Sequence, residues 1–199
     1  ARKWSGRVTV PAWVSKRATV IDSFEIAKWA DAQTESVSLI PEDEAAAIAS
    51  WNQRSEDCLE SARILVTARV QEQSGAGSEM VPPPLNRLGP LTSVLAKTGS
   101  HYLRWKYRFN LREIDAARAC IRQHLGALRA QVGNVRQTIL DEFSFADIAM
   151  AATLQCVVPV HDRFWRIGPH VRECWRDPEL AREFGDLVRW RDTIYEMYR

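Results

Sequence analysis

The stretch 144-SFADIAMAATLQCVVPV-160 constrains this chain most. No charged residue falls between Asp147 and His161. A helix over this stretch is apolar on every side, so it has to be enclosed by other elements. It is too short for a bilayer, which needs about 20 apolar residues. The chain must therefore wrap it as the centre of a helical bundle. Its start is marked by Ser144 and Asp147, which have the spacing of a capping box. The Ser144 side chain is placed to accept from the N–H of residue 147, and Asp147 to reach back to the N–H of Ser144. Phe143 and Ile148 stand at the positions of a hydrophobic staple. Pro159 closes the helix.

The neighbouring patterns supply the wrapping. From about 43 to 70, Ile48, Trp51, Cys58, Leu59, Ala62, Leu65 and Val66 recur every three or four residues, which predicts a long amphipathic helix. Pro41 and the acidic pair after it read as its first turn. A second helix is predicted over 111–132 from Leu111, Ile114, Ala117, Ile121, Leu125, Leu128 and Val132, ended by Gly133-Asn134. A third follows 177-DP-178, with Leu180, Phe184, Leu187, Trp190, Ile194 and Met197 in register. Residues 71–90, with three consecutive prolines, read as a loop, and 91–107 as a further helical piece. At the other end, 8–14 and 18–21 read as two short strands of a hairpin around 15-SKR-17. Residues 23–32 read as a helix with Ser23 at its N-cap. The fold class expected is α+β, mostly α.

Composition narrows the function classes. The formal charge is +2 over 199 residues, with the basic residues dispersed. That gives no electrostatic case for a nucleic acid or a membrane surface as partner. The four cysteines, at 58, 120, 156 and 174, form no CxxC and no metal-ligand spacing. They read as reduced, mostly buried thiols in a cytoplasmic protein. His161, His170 and Cys174 lie close in sequence, but no flanking carboxylate–histidine pattern supports a metal site.

Taken in order, Val10-Pro11, 20-VIDSFEIAKWAD-31, 143-FSFADIAMAATL-154 and 177-DPELAREFGDLVRWRD-192 resemble the glutathione S-transferase superfamily. The likeness spans nearly the whole chain and is loose over 71–110. It implies that 1–32 is the second half of a thioredoxin-like, glutathione-binding domain, 33–42 a linker, and 43–199 an all-helical domain. It also implies glutathione as co-substrate, a small hydrophobic electrophile as second substrate, and a homodimer.

Within that resemblance, Val10 and Pro11 are the positions that pair with the cysteinyl backbone of glutathione as an added strand. Asp22 accepts from the γ-glutamyl amine, and Ser23 holds the γ-glutamyl carboxylate. The helix N-terminus behind Ser23 favours an anion for independent physical reasons. Lys3 and Trp4 are weaker candidates for the glycyl end, and Tyr102 and Trp105 for the electrophile pocket. The family's first strand, first helix and second strand are expected before residue 1, carrying the Tyr, Ser or Cys that activates the thiol. No residue in this sequence takes that role by position, so no catalytic residue is assigned. The alternative is a non-catalytic binding or assembly module on the same scaffold.

Overall fold

The computed structural model describes residues 11–15, 18–73, 76–79, 111–133 and 137–199. Over these residues the chain is mostly helical, with one small antiparallel sheet. In order, the elements are β1 (Ala12–Val14), β2 (Thr19–Ile21), α1 (Ser23–Asp31), α2 (Ala45–Glu72), α3 (Ala76–Glu79), α4 (Leu111–Val132), α5 (Phe145–Thr153), α6 (Pro169–Trp175), α7 (Pro178–Glu183) and α8 (Gly185–Tyr198). Val10, Lys3, Trp4, Tyr102, Trp105 and the expected helix at 91–107 lie outside the described residues.

The core follows the sequence periodicity. Ile48, Cys58, Ala62 and Leu65 of α2 meet Ile121, Leu125 and Leu128 of α4, and Ala146 and Met150 of α5. Each fully buried Leu or Ile contributes about 1.5–3 kcal/mol relative to exposure. Helix α5 occupies the interior as expected, with six of its nine residues buried. Two of its remaining positions, Phe145 and Ile148, face the linker and α1 instead.

The capping residue of α5 does more than a box requires. Asp147, fully buried, accepts from the Ser144 N–H at 2.9 Å, the Ser144 hydroxyl at 3.2 Å and the Ile139 N–H at 2.8 Å. It thereby ties the approach loop to the helix. Phe143 stacks on Tyr198 of α8, with ring centres 3.6 Å apart, while Ile148 stays 39 % exposed.

Some boundaries differ from the sequence reading. Residues 42–44 form a separate turn, and α2 begins only at Ala45. The stretch expected as pure loop after residue 70 contains the rest of α2 and the helical turn α3. The carboxylate of Glu79, in α3, accepts from the Val171 N–H at 2.9 Å and the His170 N–H at 3.3 Å, which caps α6. Gly168 leaves room for it, since a Cβ there would collide with the Glu79 carboxylate. The α5 segment tightens into a 3₁₀ turn at Leu154–Cys156 before Pro159. The terminal helix is two helices, broken at Phe184.

Charged groups fasten α7 and α8 to the bundle. Asp177 caps α7 and also receives Arg69 from α2 and Arg118 from α4. Along α4, Arg122 pairs with Glu179 and Glu183, and Arg129 with Asp186. The guanidinium of Arg191, 1 % exposed, donates to the carbonyls of Leu154 and Val158 where the α5 segment ends. A cation is favoured at that helix end.

Candidate functional site

The hairpin is held in the register Ala12↔Ile21, Trp13↔Val20 and Val14↔Thr19. Its turn is closed by the Ser15 N–H to the Ala18 carbonyl at 2.8 Å. One step beyond the strands, the Asp22 N–H donates to the Pro11 carbonyl at 3.2 Å. The ladder thus brings Pro11 opposite Asp22, and Ser23 follows directly as the first residue of α1. Three of the four expected site residues therefore converge at one exposed end of the sheet. The fourth, Val10, lies outside the described residues.

Asp22 has φ 83° and ψ 140°, and no other non-glycine among the described residues has a positive φ. A non-glycine residue held in such a region costs about 1–3 kcal/mol. The strained residue turns the chain abruptly from β2 into α1. Its carboxylate Oδ1 accepts from the Phe24 N–H at 2.9 Å and the Glu25 N–H at 3.3 Å.

This corrects the expectation of Ser23 as N-cap. Asp22 is the cap, because its carboxylate reaches back over the first turn. Ser23, at the first helical position, keeps both its hydroxyl and its N–H without a hydrogen-bond partner among the described residues. The Asp22 Oδ2 atom is likewise unused among them. The site presents two donors and one anionic acceptor side by side, which is a constellation for an α-amino carboxylate.

Helix α1 is anchored from its far end. Asp31 accepts from the Ser38 hydroxyl at 2.6 Å, the Leu39 N–H at 2.7 Å and the Ile40 N–H at 3.3 Å. Burial works against its charge. The Ser38 hydroxyl and the two backbone donors outweigh that and hold the carboxyl below its ordinary range. Near the other end, the Phe24 ring meets Phe145 of α5 at 5.3 Å. The sequence reading missed Asp31, whose role depends on a linker eight residues downstream folding back over it.

The cysteines are free thiols. Burial pushes the Cys58 thiol far up, with Cys156 and Cys120 adding to the effect. Burial pushes Cys156 up to about 12, aided by Asp177 and opposed by Arg69. Cys174 is also raised by burial, and its Sγ contacts Gln73 Oε1 at 3.0 Å. These groups lack the thiolate character of a nucleophile. Cys174 is directed at Gln73, the residue that follows α2, and the exposed His161 accepts from the Arg163 N–H. Among the described residues, no three metal-ligating side chains converge. No helix among them is long and apolar enough to cross a membrane.

Comparison with known proteins yields no match: no family model, curated protein or solved structure matches the chain.

Proposed function

We propose that this chain binds glutathione through Pro11, Asp22 and Ser23, as a glutathione S-transferase-like protein acting on a small hydrophobic electrophile. The observation that carries the reading is the strained Asp22 beside a Ser23 whose donors are unused. An N-cap ordinarily has extended, negative-φ geometry. The cross-strand bond from the Asp22 N–H to the Pro11 carbonyl puts the turn at Asp22, and that turn leaves the Ser23 hydroxyl and N–H at the positive end of α1, directly after the Asp22 carboxylate. A γ-glutamyl carboxylate suits the two donors, and its ammonium suits the acceptor. On this reading the hairpin and α1 belong to a thioredoxin-like unit, and α2 to α8 to the helical domain of that superfamily. The protein would work in the cytoplasm as a homodimer.

A second reading is a non-catalytic binding or assembly module on the same scaffold. It needs no activating residue, and Cys58, Cys156 and Cys174, each raised by burial, offer none.

Calorimetric titration of glutathione into the chain tests the site. Wild type should bind, and Ser23→Ala should weaken binding about tenfold, the loss of one hydrogen bond to a charged group. Equal affinities would remove Ser23 from the site. If the wild type shows no binding, the glutathione reading fails for this chain.

A further inference from the structure

Buried polar atoms in a folded chain are almost always paired, so an exception asks for a reason. Among the described residues, Nδ1 of His124 is a buried side-chain nitrogen with no hydrogen-bond partner. His124 lies on α4 and is 9 % exposed. Its other nitrogen, Nε2, faces the carboxylate of Asp57 on α2, 3.6 Å from Oδ2. The Gln53 amide donates to Asp57 Oδ1 at 2.9 Å, which leaves Oδ2 to the imidazole. In a neutral ring so placed, Nε2 carries the proton and Nδ1 keeps its lone pair. The buried nitrogen is therefore an unused proton acceptor.

A proton donor stands one helical turn away. Cys120 precedes His124 by four positions on α4, so the two side chains are neighbours on one face. A helical side chain lies over the turn N-terminal to its own Cα, which carries the imidazole toward Cys120. Both side chains reach the same residue of the facing helix, since Cys120 Sγ lies 4.0 Å from the Asp57 carbonyl oxygen. That contact is long, so the thiol proton is only loosely held. Cys120 is half-buried, whereas the other three cysteines are buried. A reagent from solvent therefore meets Cys120 first. A thiol, an imidazole and a carboxylate gathered in this way are the parts of a base-assisted nucleophile.

We propose that Cys120 is a site of covalent modification by small soft electrophiles, with His124 as the base that takes its proton and Asp57 as the carboxylate that holds the resulting imidazolium. The Cys120 proton passes to His124 Nδ1, and the sulfur electron pair attacks the electrophilic carbon. A sulfur–carbon bond forms as the bond from that carbon to its leaving group breaks. The leaving group departs as an anion with the bonding pair. The imidazolium, held meanwhile by Asp57 Oδ2, returns its proton to water.

The probe is iodoacetamide, whose leaving group is iodide. Wild type, His124→Gln and Asp57→Asn are pulsed with it at neutral pH, quenched, digested and read residue by residue by mass spectrometry. An unassisted thiol is only roughly a few per cent thiolate at neutral pH, so removing the base should slow Cys120 about tenfold. Asp57→Asn, with its side chain 42 % exposed, keeps the shape of the site and should slow Cys120 by less. A purely structural role for His124 predicts the opposite sign. Looser packing between α2 and α4 would open the thiols to reagent and speed the labelling of Cys120 and Cys58 together. Labelling at Cys58 and Cys156 reports any such opening in the same sample. Two results overturn the proposal: Cys120 reacting in His124→Gln as fast as in wild type or faster, or an unchanged Cys120 rate in Asp57→Asn whose thermal melt matches wild type. Neither readout involves glutathione, so the proposal stands or falls separately from the Ser23 site.

Discussion

Asp177 carries more of the tertiary structure than any other single carboxylate described, and replacing it should show this. It is fully buried. It accepts from the N–H groups of Glu179 at 3.0 Å and Leu180 at 3.1 Å, closing the first turn of α7. It also receives Arg69 from α2, and Arg118 from α4 at 3.3 Å. Asp177→Ala removes the cap, which costs about 1 kcal/mol. It also leaves Arg69 without its counter-charge and Arg118 with Glu179 alone, at 3.7 Å, each arginine being 21 % exposed. Breaking a buried pair costs about 3–5 kcal/mol, and partial solvent access puts this case at the low end. The sum is about 4 kcal/mol, or about 8–16 °C in Tm for a chain of this size. Asp177→Asn keeps a good cap and loses the charge, so it should cost about 3 kcal/mol.

Urea unfolding followed by far-UV circular dichroism at neutral pH measures both variants. A penalty for Asp177→Asn below about 0.5 kcal/mol would refute the ionic half of the argument, and equal penalties for Asn and Ala would refute the capping half. Acid supplies an independent check. Burial by itself raises the Asp177 pKa, but the Leu180 N–H together with Arg69 and Arg118 brings it below the ordinary 3.8. The folded state therefore binds this proton less readily than the unfolded chain does. The stabilisation is complete above 3.8 and is lost as pH falls through the lower folded value, so the Asn penalty should shrink there.

Asp147 should behave in the opposite sense. Burial outweighs its backbone and hydroxyl donors and leaves its pKa raised, so its stabilisation is fully present below 3.8 and declines as pH rises through the folded value. The penalty of Asp147→Asn in urea unfolding should then be larger in acid than at neutral pH. Ellman's reagent on the native chain should react first with the half-buried Cys120, and with Cys58 and Cys156 only on unfolding. Asp22→Gly should relieve the positive-φ strain at a cost of only a few tenths of a kcal/mol in capping. Its stability should therefore match or exceed wild type by up to about 1 kcal/mol, while glutathione affinity falls; a loss of more than about 1 kcal/mol would show that no strain is stored there.

The core faces were legible because burial and helical period coincide. Ile121, Leu125 and Leu128 are spaced by four and three, and all are fully buried. The same arithmetic holds a signal for Arg191 that went unused. Leu187, Arg191 and Ile194 are also spaced by four and three, which puts a guanidinium in core phase. A charge there requires buried acceptors, and the structure supplies the Leu154 and Val158 carbonyls. The breaks were less legible. Phe184 fits the apolar period of one continuous helix, yet its backbone leaves helical geometry at φ −118° and ψ 29°. Nothing in the spacing of apolar residues reports such a change.

At the candidate site, residue types and local pairing carried different information. An adjacent Asp and Ser at a strand-to-helix junction are interchangeable caps by composition, and either can be the last extended residue. What decides between them is the bond from the Asp22 N–H to the Pro11 carbonyl, made across the hairpin. That bond keeps residue 22 in the ladder for one step after β2 ends, so the whole change of direction falls on its φ. The capping carboxylate is then already on the near side of α1, and Ser23 is pushed one position into the helix with its donors unspent. Pro11 and Ser23 are thus coupled through Asp22: the residue that accepts across the sheet determines which residue's donors are left unspent.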